Sequence, residues 1–164
     1  MPKLEVKENK ILKLTNVLSR KTADKEVFNS DKQMRMIQNW IKVKGYKSKG
    51  PLIVYSSGVK GAEANGSPII DNRLLVQLDN EKITAEYPYK FEQLIRLEKC
   101  LFVRFDDNFK KMQFAVNGIH FFAYNNDIEL TGESYTVLIE DYHNGNILAD
   151  VFMPVKHKIE IANE

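Results

Sequence analysis

The chain has 164 residues, 43% hydrophobic and 28% charged, with 24 basic and 22 acidic side chains for a net charge of +2. These values suit one compact soluble domain and exclude a disordered chain, a collagen-like chain and a disulfide scaffold. Cys100 is the lone cysteine, so an internal disulfide is excluded and a reducing compartment fits. No apolar run approaches the ~20 residues that a membrane helix needs. The first residues, MPKLEVKENK, hold no apolar signal core. A cytoplasmic location away from membranes is the expectation.

Charge is spread unevenly. Met1 to Gly50 carries 13 basic and 5 acidic residues, and the remainder carries 11 and 17. The densest basic stretch is Lys42, Lys44, Lys47 and Lys49. Lysine without Arg, Asn or Gln is poor base-reading chemistry. Lysines at a helix C-terminus are also favoured by the helix dipole. A solvated helix end is therefore expected there, with an anionic partner as the alternative, and no direct nucleic-acid contact.

In chain order, residues 11 to 20, ILKLTNVLSR, alternate and predict a strand. Residues 23 to 30 are polar around Val27 and Phe28. Ser30 or Asp31 caps a helix in which Met34, Ile37 and Ile41 recur at helical spacing beside Trp40. Gly45 ends that helix. Gly50 and Pro51 open a short strand, Leu52 to Tyr55. The glycine-rich stretch from Ser56 to Pro68 predicts a loop, and RLLVQL at 73 to 78 the next strand. Ile83 to Tyr87 suggests an edge strand that Pro88 cuts short.

A long strand is expected over Leu94 to Phe105. Leu101, Val103 and Phe105 lie on its core face, with Arg104, Phe102, Cys100 and Glu98 opposite. Asp106 and Asp107 are read as helix caps. Phe109, Met112, Val116 and Ile119 predict one face of the second helix, and Gly118 a ragged end. The wide spread of Phe109, Phe114, Phe121 and Phe122 exceeds one core face. Tyr135 to Tyr142 and Ile147 to Val155 read as hairpin strands joined at His143-Asn144-Gly145-Asn146, where Asn-Gly suits a type I′ turn.

The order strand, helix, strand, strand thus occurs over about 11 to 79 and again over about 94 to 155, leaving a tail at 156 to 164. The fold class is α+β. Duplicated β-α-β-β units form an antiparallel sheet with two helices and a cleft between the halves. Gly50 corresponds to Gly132, and Tyr55 falls near Val137. One unit alone is marginal, whereas two share a core and leave a groove where they meet.

Three segments, GPLIVY, CLFVRF and the closing ILADVFMPV, resemble the gyrase-inhibitor-like superfamily, the effector-binding domain of bacterial transcription regulators. In the last, Asp150 precedes Val151, Phe152, Met153 and Pro154. The likeness spans about residues 10 to 156 and extends to small stand-alone members. It implies a cleft that binds lipophilic, often cationic, small molecules between aromatic rings and a buried carboxylate. Two departures stand out. No helix-turn-helix pattern precedes the domain, and the middle strand of the second unit, SYTVLIED, has Glu140 two or three residues late for that carboxylate.

The ligand-binding candidates are accordingly Trp40, Tyr55, Arg104, Tyr135 and Glu140. Each has a structural alternative. Trp40 can pack between helix and sheet, the tyrosines can be half-buried sheet residues, and Arg104 can pair with Glu98 or Asp150. Glu140 and Asp141 are neighbours on a strand, so they face opposite ways. Cys100 has no histidine spaced to serve it. His120, His143 and His157 do not cluster, so neither a metal site nor a cofactor is expected. Three functions stay open. The first is a non-catalytic small-molecule binder, the second a protein-interaction or inhibitor module. The third is a hydrolase of a reactive small molecule, for which Glu140, Glu98 and Asp150 are the only acids at hand.

Overall fold

The computed structural model describes residues 4–22, 30–59 and 69–156. The expectations for Val27, Phe28 and His157, and for most of the glycine-rich loop, lie outside these residues. The elements run β1 (Lys7–Thr22), α1 (Ser30–Val43), β2 (Ser48–Val59), β3 (Ile69–Leu78), β4 (Tyr89–Asn108), a one-turn 3-10 helix, α2 (Met112–Asn125), β5 (Glu133–Asp141) and β6 (Asn146–Pro154). Every strand pairing is antiparallel. The expected α+β sheet closes into a barrel, in the order β1-β3-β2-β5-β6-β4 and back to β1. Closure removes both edge strands that an open sheet would present to solvent.

Side-chain alternation sorts the strands into three apolar layers. Leu74, Val76 and Leu78 of β3 meet Ile37 and Ile41 of α1 outside the barrel. Leu75 of β3, Ile53 of β2 and Tyr135 of β5 point inward with Leu12, Leu14 and Val17 of β1. Val151 and Met153 of β6, with Leu101, Val103 and Phe105 of β4, lie under Ala115, Ile119 and Ala123 of α2. The two helices therefore cover different stretches of the barrel wall.

Two long strands change phase along their length. Leu12 and Leu14 are inward on even numbers, Val17 on an odd one, and Asn16 between them has φ 52°. On β4, Ile95 and Leu97 pack inward whereas Leu101, Val103 and Phe105 face α2. Lys99 has φ 58°, and four residues of β4 from Leu97 to Cys100 oppose three of β1 from Leu12 to Lys10. An extra residue of this kind turns every later side chain over. The expected face shared by Arg104, Phe102, Cys100 and Glu98 is thus broken at Lys99. Glu98 pairs with Arg96 at 3.2 Å and not with Arg104.

Other departures have local causes. β2 continues because Ser56 and Ser57 are paired on both sides, to β3 and β5, and Gly58 and Val59 to β3. Asp106 and Asp107 remain in β4, opposite Leu148 and Ile147, and Asn108 caps the 3-10 turn through its side chain. Phe109 falls in that turn and is exposed, off the inner face of α2. Gly118 does not end α2, since packing of Ala115, Ile119 and Ala123 outweighs its propensity. No strand forms over Ile83–Tyr87. The β5–β6 loop has positive φ at His143 and Gly145, not at Asn144, so the two-residue turn is replaced by a four-residue one.

Candidate functional site

The inward layer does not fill the barrel. At the end where β1 and β2 finish and β3, β4 and β5 begin, a cavity of about 390 Å³ opens, bounded by Tyr55, Arg73, Glu92, Leu97, Glu133 and Tyr135 among others. Tyr55 and Tyr135 are brought there by register. They are direct partners across the β2–β5 seam, and Val137 lies opposite Ile53 instead. Their rings sit 4.9 Å apart at 59°, a tilted pair of the kind aromatic quadrupoles favour.

Glu133 precedes Tyr135 by two residues and so shares its face. The Tyr55 hydroxyl donates to Glu133 Oε2 at 2.8 Å, and the Thr131 hydroxyl to Oε1 at 3.4 Å. Burial, then the bond to Glu133, pushes the Tyr55 hydroxyl up to about 12. Burial, then the charge of Glu133, also raises the Tyr135 hydroxyl. Both rings are therefore neutral donors at ordinary pH.

Charge at the mouth is nearly all spoken for. Arg73 pairs with Asp71 at 3.0 Å, Lys90 with Glu92 at 3.5 Å, and Arg96 with Glu98. Glu133 is in no ion pair among the described residues. It holds its place because Gly132, at φ 94°, turns the chain into β5, and a Cβ there would lie 3.1 Å from the Gly58 carbonyl oxygen. The seam between β2 and β5 can close this tightly only with glycine at that point.

Trp40, Arg104 and Glu140 are not at this cavity. Trp40 stacks on Tyr89 at 4.6 Å and leans on Tyr46, beneath the side of α1 on the outer wall. Arg104 makes a two-pronged contact with Asp150 at 2.8 and 3.0 Å, because β4 and β6 place the two opposite each other. Glu140 is exposed near the β5–β6 hairpin tip, past a register shift at Ile139 that alters its facing. Cys100 is fully buried, and burial pushes its thiol up to about 11, which makes it inert at neutral pH. Among the described residues no three His, Cys, Asp or Glu side chains gather as a metal needs. The sequence reading passed over Glu133. The signal was present in GESYT, where a period of two puts it beside Tyr135.

No family model matches the chain, and no curated protein matches it. Solved structures do. The chain is similar to the EcmrR C-terminal domain with 13% identity and a TM-score of 0.66, covering 95% of this chain and 98% of that one. It spans 58% of the EcmrR chain seen in a DNA complex, at 15% identity and TM-score 0.65. SAV2435 bound to tetraphenylphosphonium matches with 9% identity and TM-score 0.51, covering 94% of each chain. A hydrolase from Listeria innocua matches with 14% identity and TM-score 0.54, over 94% of this chain and 92% of that one. At such identities the likeness defines a fold alone. No helix among the described residues is long and apolar enough to cross a membrane.

Proposed function

We propose that the chain is a non-catalytic small-molecule binding domain whose ligand is a lipophilic cation held in the barrel mouth. The observation that carries this reading is Glu133, a carboxylate without a cationic partner among the described residues, set beside two neutral tyrosine rings in a cavity. A cation over aromatic faces gains about 0.5 to 2 kcal/mol, more when desolvated. It also supplies the charge that a half-buried carboxylate lacks. Tyr55 and Tyr135 are the ring walls, and Glu133 takes the carboxylate role that the resemblance implies and that Glu140 sits too late on β5 to fill. The likeness to a structure holding tetraphenylphosphonium supports the choice of probe.

In this reading the two strand-helix-strand-strand runs are pseudo-symmetric copies, and the cavity is the cleft where they meet. The strand order supports it: counted within each run, it reads first, third, second, then second, third, first. Gly50 and Gly132, both at positive φ, also sit at matching places before or within β2 and β5.

The test is a thermal-shift titration with tetraphenylphosphonium, tetraphenylborate and a neutral aromatic. At one hundred times its dissociation constant a ligand adds about 2.7 kcal/mol to stability. Stabilisation by the cation alone, lost in Glu133→Gln, is the expected result. Stabilisation by the anion, or by none of the three, removes the reading. A second reading, hydrolysis of a reactive electrophile, draws on the same Tyr55–Glu133 contact and on the Listeria innocua neighbour. Turnover of an epoxide probe that disappears in Glu133→Gln would put it in place of the first.

A further inference from the structure

Helix α2 docks through Ala115, Ile119 and Ala123. A helix with one face buried ordinarily carries charge on the other. This one has no Asp, Glu, Lys or Arg between Met112 and Asn125. Its outer face holds Phe114, Phe121 and Tyr124, which are 58%, 69% and 83% exposed. At about 100° per residue, Phe114 and Phe121 fall on one line roughly opposite the buried stripe, with Asn117 and Gly118 midway between them.

We propose that this face is where two copies of the chain meet, with α2 packed antiparallel on the α2 of the second copy across a two-fold axis beside Asn117 and Gly118. The proposal rests on nothing in the barrel mouth.

Four observations favour a second copy over another occupant. First, an uncharged helix meets its own copy without repulsion, and it offers no counter-charge to a charged partner. Second, the face is self-complementary. A two-fold axis midway between Phe114 and Phe121 brings each against the other residue of the facing helix, as an isologous contact requires. Third, the midpoint is open. A Cβ on Gly118 would meet nothing within 4 Å, so a facing helix can come close there. Beside it a cavity of about 600 Å³ is bounded by Leu4, Val6, Gly118, Phe121 and Phe122, on the side of the axis where Phe114 of the facing copy arrives.

Fourth, the area is sufficient. Aromatic side chains of roughly 150 to 250 Å² at these exposures offer roughly 400 Å² per copy from three rings alone. With Asn117, Gly118, Asn125 and the adjoining slot the pair reaches about 1,200 Å², the lower end for a specific interface. An apolar patch of this size left in water marks an interaction site on most soluble proteins.

The experiment is sedimentation velocity on the full chain from micromolar to near-millimolar concentration, with Phe121→Glu, Lys42→Glu and Asn117→Cys alongside. The wild type is expected to dimerise. Phe121→Glu should weaken association by at least about 100-fold, since a two-fold contact contains the substitution twice. Its melting temperature at monomeric dilution should match that of the wild type, because Phe121 is exposed. Lys42→Glu, on α1, should leave the dimer intact. Asn117→Cys should form an intermolecular disulfide under mild oxidation, while Gln38→Cys on α1 should not. A chain that stays monomeric throughout, or a dimer that Phe121→Glu leaves unchanged, overturns the proposal. So does failure of Asn117→Cys to link, because it moves the axis off this helix.

Discussion

Helices α1 and α2 each contain 14 residues and each lie across one stretch of the same barrel wall, yet their outer faces differ in kind. On α1 the exposed positions include Lys32, Arg35, Gln38, Asn39 and Lys42. On α2 they include Phe114, Phe121 and Tyr124. The inner faces differ too. Large side chains, Ile37, Ile41 and Trp40, hold α1 to the strands, while two alanines and one isoleucine let α2 lie closer. The inner face of a helix records where it docks, and the outer face records what surrounds it. Water surrounds α1, and the character of α2 calls for a protein surface.

The largest expected effect tests whether the two inner faces anchor alike. Ile37→Ala and Ile119→Ala each empty a fully buried site, and each should cost about 2–5 kcal/mol in a urea titration. A cost under about 1 kcal/mol for either would show that its helix is not needed for the barrel. The next effect contrasts the outer faces. Phe114→Ser should leave the urea midpoint at dilution within about 0.5 kcal/mol of wild type, as for an ordinary surface site, while abolishing association. Arg35→Ala should change neither, and loss of association there would erase the contrast between the helices.

Smaller effects sharpen the difference between the barrel mouth and the outer wall. Gly132→Ala forces a side chain into positive φ against the Gly58 carbonyl, and about 1–2 kcal/mol should be lost, together with cation binding. Unchanged stability would mean that the β2–β5 seam relaxes freely. Tyr55 and Tyr135 have their hydroxyl pKa values raised above the ordinary 10.0. Each ring is thus favoured in its neutral form by folding. Their contribution is whole below pH about 10 and falls as pH rises through about 12 for Tyr55. Urea midpoints should decline across that window, and less steeply in Tyr55→Phe. A flat profile would show that the hydroxyls are as free as in the unfolded chain. Among the barrel contacts, Arg104→Ala should cost least, under about 1 kcal/mol by the same titration, because the Arg104–Asp150 contact is on an exposed guanidinium. A larger loss would make that pair part of the core.

How much of the site was legible follows from which interactions are local. Tyr55 and Tyr135 stand in strands that alternation alone locates, and the resemblance placed both near a cleft. Glu133 shares the face of Tyr135 by a period of two, whereas alternation alone puts Glu140 on the other face. The bulge at Ile139 turns Glu140 back opposite Leu148, so what parts the two carboxylates is place along the barrel, Glu133 at its mouth and Glu140 at the hairpin tip. Trp40 is in the helix that the spacing predicts, but its stacking partner Tyr89 is 49 positions away in sequence. Arg104 shows the limit from the other side. Its two possible partners were named from the strand pattern, and only the β4–β6 register chose Asp150.

Period and punctuation determined the number of helices, the order of the main elements and the Ile37–Ile41 stripe of α1, because these depend on residues three, four or two apart along one chain; on α2 only Ile119 of the expected stripe is fully buried, between Ala115 and Ala123. The closure of the sheet into a barrel, the phase changes at Asn16 and Lys99, and the selection of Glu133 over Glu140 were decided by the tertiary structure alone. Each of these turns on which strand lies beside which, and in what register. A single residue inserted on one side of a pair reverses every side chain beyond it.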